Sequence, residues 1–135
     1  MALGLRLEDV KSHLEKAIRA RSKRKVVQEF VKWLFGNVLT SENVAEAFQL
    51  KLDLTEVLRV NCHLDSPVIQ PLAKLAFRLY WREIEDVVCN VDRVHSLLLK
   101  VFPEHSSIFS SKDGVEYLNV QCQKLYDYLY SYTWS

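Results

Sequence analysis

The residues of this 135-residue chain best able to hold a metal or act as a nucleophile are three cysteines and four histidines. They are Cys62, Cys89 and Cys122, with His13, His63, His95 and His105. A structural zinc site needs ligands in tight pairs, two or three residues apart for cysteine. No such pair occurs here, and the adjacent Cys62-His63 is a poor geometry for one ion. No metal and no cofactor are therefore expected. A Cys–His pair could still assemble in space. No sequence near any cysteine, however, carries the strained turn or oxyanion-hole glycines that a nucleophile requires. Glu83, Glu85 and Asp86 stand beside Arg82 and apolar residues, as charges on a helix surface do. With three glycines in all, the phosphate-binding loops of P-loop and Rossmann enzymes are absent. The expectation is a protein without catalytic activity. Two titratable groups meeting in a deep cavity would revive an enzyme reading.

A second chemistry is electrostatic. Residues 1–32 hold nine Lys/Arg against four Asp/Glu, whereas the whole chain is near neutral at +1. Much of the excess is one run: Arg19, Arg21, Lys23, Arg24 and Lys25. Such a run can meet nucleic acid or an acidic peptide, or it can be a solvated turn between helices. No aromatics interleave with it to stack on bases, so nucleic acid is the weaker partner expectation.

The elements that position these groups follow from composition and period. The chain is 49% hydrophobic and 26% charged, with three Pro and three Gly. That is ordinary globular usage with too little turn punctuation for an all-β fold. One domain of long helices is expected. The odd, widely spaced cysteines read as buried free thiols in a reducing compartment. The first residues, Met1 to Arg6, are charged too soon for a signal peptide, and no run reaches the length of a membrane span.

Helical spacing predicts a first helix on Leu7, Val10, Leu14, Ala17 and Ile18, and an apolar second one over residues 26–35 ending at Gly36-Asn37. A third is capped by Thr40 or Ser41, and a fourth carries Leu50, Leu54, Val57 and Leu58. The longest is expected from about Gln70, with Leu72, Leu75, Ala76, Leu79, Tyr80 and Ile84 on one stripe and Ala73, Phe77 and Trp81 beside it. A helix capped by Asn90 or Asp92 stops at Pro103, residues 105–114 read as the longest loop, and a last helix spans about 113–130. Its tyrosines divide into Tyr126/Tyr130 and Tyr128/Tyr132, about 200° apart around the helix, so one pair lies at the surface or the chain end leaves the helix.

The stretch from Val26 to Glu85 resembles the N-terminal domain of the transcription elongation factor TFIIS. This bundle recurs in elongin A, in a Mediator subunit and in the "interacts-with-Spt" elongation factors. The resemblance rests on Val27-Gln28-Glu29-Phe30-Val31-Lys32-Trp33-Leu34 and on the Thr-opened Leu39-Thr40-Ser41-Glu42-Asn43-Val44. It continues in the spacing of Leu50, Leu54 and Val57 before Arg59, and in Leu72-Ala73-Lys74-Leu75 leading to Trp81. One departure is the family's Gly-Lys step, replaced here by Lys51-Leu52 after Leu50. The resemblance implies an all-α, right-handed bundle of about six to seven helices. Residues 26–85 would be its core, with 1–25 and 86–135 as flanking helices. It further implies a nuclear, non-catalytic module that docks a peptide of an elongation factor, such as an Spt-type factor. The peptide would sit at the loops Asn37-Val38-Leu39 and Cys62-His63-Leu64-Asp65, although apolar residues in loops can equally cap a core. A different reading is a small regulatory helical protein, viral for instance, that binds a partner helix in a groove.

Overall fold

The computed structural model describes residues 6–20 and 40–135. Among them are eight α-helices, one 3-10 turn and no strand, so the chain is all-α. The helices are α1 (Leu7–Arg19), α2 (Ser41–Leu50), α3 (Leu54–Asn61), α4 (Gln70–Leu79), α5 (Trp81–Val88), α6 (Val91–Val101), α7 (Ser106–Ser110) and α8 (Lys112–Trp134). The 3-10 turn, Pro103–His105, joins α6 to α7. The expected second helix, with Arg21, Lys23, Arg24, Lys25, Asn37, Val38 and Leu39, lies outside the described residues.

Helix α8 is the axis of the fold. It packs against α3, α4, α5, α6 and α7, while α1 lies on α4 and α2 on α7. The helix expected to flank the molecule is thus the one its neighbours share. Its predicted stripe of Leu118, Cys122, Leu125 and Leu129 is buried, and Tyr117, Gln121 and Thr133 extend it. Starts are set by side-chain caps. Thr40 and Asn43 form a reciprocal capping box on α2, Asp53 accepts from Thr55 N–H on α3, and Asn90 accepts from Arg93 N–H on α6.

Four expectations change. Leu50 is not in the same helix as Leu54. It ends α2 and is exposed, because Lys51 turns left-handed (φ 56°) and Asp53 opens a new helix. The long helix breaks at Tyr80 (φ −113°), whose hydroxyl donates to the Ala17 carbonyl in the last turn of α1. Before the break, the core takes Ala76 from one predicted stripe and Ala73 and Phe77 from its neighbour, while Leu75 and Leu79 are exposed. Residues 105–114 are no loop, since Phe109 is fully buried within α7. Finally, α8 continues to Trp134, so the aromatic end of the chain stays helical. The break at Tyr80 and the helix α7 each add one helix to those expected for the described residues.

Candidate docking surface

The C-terminal tyrosines occupy two faces of α8, as helical spacing requires. Tyr117, Gln121, Tyr128 and Tyr132 form a stripe toward α3 and the segments bordering it. The Gln121 side-chain carbonyl accepts from Leu54 N–H (2.9 Å), which satisfies an orphan donor at the start of α3. Tyr117 Oη donates to the Leu52 carbonyl, and Tyr132 Oη to the Leu64 carbonyl (2.9 Å). Burial pushes the Tyr128 hydroxyl up to about 12, and Tyr117 and Tyr132 are also raised by burial. This stripe holds the fold together.

The other face carries Tyr126, Tyr130 and Trp134, each four residues from the next, against α5. The break at Tyr80 makes Trp81 the first residue of α5 and aims it into this row. Its ring centroid lies 6.0 Å from that of Tyr126, 5.8 Å from Tyr130 and 6.3 Å from Trp134, edge-on to the last two. Tyr126 and Tyr130 stack at 6.0 Å. Tyr130 and Trp134 remain 50% and 47% exposed, which is unusual for rings of this size in one contiguous row. At the C-terminal end Arg78 lies 5.8 Å from the Trp134 ring and donates from Nε to the Thr133 carbonyl (2.8 Å). Lys74 sits 5.7 Å from the Tyr132 ring.

At its other end the row meets carboxylates. Glu85, one turn beyond Trp81, accepts from Tyr126 Oη (3.2 Å), and burial and this carboxylate raise the Tyr126 hydroxyl. Glu85 also borders an open depression of about 650 Å³, lined further by Asp86, Cys89, Asn90, Asp92 and Asn119. Cys89 is exposed, against the expectation of three buried thiols. Partial burial and the charges of Glu85 and Asp86 raise its thiol. Cys62 and Cys122 are buried, their thiols pushed up to about 12 and about 11.

The segment 62–65 is placed differently from a peptide pocket. Cys62 and Leu64 are almost fully buried and close the core beneath α3. Their side chains are taken up by packing. His63 takes a left-handed turn (φ 55°), and Asp65 pairs with Arg59, which also holds Glu56 (2.7 Å). Arg19, the described member of the basic run, is exposed at the end of α1 with Nε on the Glu15 carbonyl. Two signals for the aromatic face were in the chain: the Tyr126-Tyr130-Trp134 spacing, and residues 83–92, which hold four acidic side chains and no Lys or Arg.

Two serine–histidine contacts occur among the described residues: the exposed pair Ser110 Oγ–His95 Nε2 (3.3 Å), and one at Ser41 that has a carboxylate beside it. Ser41 Oγ donates to Glu104 Oε1 (2.8 Å) and lies 3.0 Å from His105 Nε2. Glu104 thus holds the serine rather than orienting the imidazole. Its own backbone N–H and the Ser41 hydroxyl keep its carboxyl below the usual range. The cluster ties the start of α2 to the 3-10 turn. Among the described residues, no three His, Cys, Asp or Glu side chains converge as metal ligands would, and no helix is long and apolar enough to cross a membrane. No family model matches the chain, and neither does any curated protein or solved structure.

Proposed function

We propose that the chain is a non-catalytic docking module that holds a short segment of a protein partner on the α5–α8 face. The observation that carries this reading is the contiguous row of Trp81, Tyr126, Tyr130 and Trp134, with its last two large rings half in water. Aromatic rings give much contact area for little conformational entropy, and they dominate the energetics of small interfaces. The resemblance of residues 26–85 to the TFIIS N-terminal domain makes a nuclear elongation factor the partner of choice, an Spt-type factor among them.

The test is a pull-down from nuclear extract with the intact chain and with Tyr130→Ala/Trp134→Ala. Elongation factors retained by the first and lost by the second support the reading. Equal retention by both, with the variant's helical circular dichroism unchanged, overturns the site.

A second reading keeps the face and changes the partner: a regulatory protein that binds an amphipathic helix. The four-residue spacing of the α8 row favours it, since a helix laid in the α5–α8 seam presents anchors at i and i+4. A bound peptide that gains helical ellipticity supports this form.

A further inference from the structure

We infer that the segment held on the α5–α8 face is cationic, with Lys or Arg residues on one side of an aromatic or aliphatic anchor. The inference rests on the docking reading above and gives the partner its chemistry.

The face is polar in the electrical sense. Its C-terminal end has Lys74 and Arg78, but both are committed to the last turn of α8. Arg78 donates to the Thr133 carbonyl and covers Trp134, while Lys74 contacts Ser135 Oγ (3.4 Å) and covers Tyr132. Cations in that place satisfy carbonyls at a helix C-terminus and suit its negative dipole end. The opposite end has Glu85, Asp86 and Asp92 around an open depression of about 650 Å³. The ion pairs among the described residues are Arg6–Asp9, Arg59–Glu56 and Arg59–Asp65, and none involves these three carboxylates. Glu85 accepts one hydrogen bond from the Tyr126 hydroxyl, and no ion pair among the described residues reaches it.

Apolar anchoring and charge therefore lie along one line. Trp134 and Asn119 mark its two ends, fifteen residues apart on α8. At 1.5 Å per residue that is about 22 Å. A partner helix would span it in about fifteen residues, and an extended strand in about seven. Its anchor would lie on Trp81, Tyr130 and Trp134, and its Lys or Arg side chains would reach Glu85, Asp86 and Asp92. An acidic segment would place like charges together at this end, which costs affinity and slows encounter.

The experiment uses the full chain, reduced, with two fluorescein-labelled 14-residue peptides followed by fluorescence anisotropy. One carries Phe and Leu anchors at i and i+4 with four Arg. The other has Glu at each Arg position. The Arg peptide is expected to bind, and to bind about tenfold more weakly to Glu85→Gln/Asp86→Asn/Asp92→Asn, with a shallower salt dependence. It is also expected to lose affinity for Tyr130→Ala/Trp134→Ala. Equal or tighter binding of the Glu peptide overturns the charge assignment and leaves the docking reading standing. Binding of the Arg peptide that ignores the three neutralised carboxylates also overturns it. No binding of either peptide removes both the inference and the docking reading beneath it.

Discussion

Gly114 separates what local helix propensity expects from what packing demands. It lies in the first turn of α8, where Ser111 caps the helix by accepting from Gly114 N–H (3.0 Å). A glycine inside a helix costs about 1 kcal/mol relative to alanine, so Gly114→Ala should stabilise the chain on propensity alone. The tertiary structure predicts the opposite. A Cβ at this position would sit 2.1 Å from the Ile108 carbonyl oxygen, 3.0 Å from Ser111 Oγ and 3.1 Å from the Phe109 carbonyl oxygen. The nearest atom is backbone, so relief needs the α7–α8 corner to open by roughly 1 Å in a close-packed region. Phe109 is fully buried at that corner and packs its ring, tilted, against Phe48 at 5.0 Å, so the movement would also loosen the core. Overpacking costs about 1–3 kcal/mol, and disturbing the Ser111 cap costs about 1 kcal/mol more. Less the propensity gain, Gly114→Ala should lose about 2 kcal/mol. For a chain of this length that lowers Tm by roughly 5–10 °C. Thermal unfolding followed by circular dichroism at 222 nm reads this directly. Val115→Ala, next door and exposed, is the control and should change Tm little. A Tm for Gly114→Ala equal to or above that of the parent chain would refute the packing of α7 on α8.

Three other predictions follow from the same structure. Lys51→Gly should raise stability by about 0.5–1 kcal/mol in urea unfolding, because glycine relieves the left-handed backbone there; a loss would mean that the Lys51 side chain contributes something the backbone does not reveal. The folded-state values of Cys62 (from 9.0 to about 12), Cys122 (from 9.0 to about 11) and Tyr128 (from 10.0 to about 12) are all raised. Their contribution is complete below pH 9 and is lost as pH rises through about 11–12, so the urea midpoint should hold steady to about pH 9 and then fall, and a midpoint that rises above pH 10 would contradict their burial. A thiol reagent at pH 8 should label Cys89 quickly, and Cys62 and Cys122 only after denaturation; fast reaction at all three would contradict the core built around α8.

Much of the helical scaffold was legible because amphipathic period and caps are local. Thr40 and Asn90 hold their helix starts through contacts with residues three positions away. The lead-in before Gln70 was legible too, since Pro67 and Pro71 constrain the backbone wherever they occur. The breaks at Lys51 and Tyr80 were not. Neither residue is a helix breaker, and each break is held by what the chain meets afterwards. Tyr80 reaches the end of α1, and Tyr117 reaches the Leu52 carbonyl from 65 residues away. Which members of the two neighbouring stripes on α4 meet the core was open for a related reason. Leucine and alanine are both compatible with a core, and close approach of α1 and α8 selects the small Ala73 and Ala76 over Leu75 and Leu79.

The candidate site divides the same way. Sequence alone determined that Tyr126 and Tyr130 share one face of a helix and Tyr128 and Tyr132 another, because 3.6 residues per turn allows nothing else. It also determined that residues 83–92 are acidic. It could not decide which tyrosine face meets the core, nor that Trp81 and the acidic helix lie along the other. Those depend on α8 standing at the centre, where its neighbours compete for its surface. The apolar loop residues Cys62 and Leu64 fit either a docking pocket or a core plug as sequence. They became core when Tyr132 took the Leu64 carbonyl and α3 closed over α8, since a buried carbonyl must find a donor and an apolar side chain beside it leaves water.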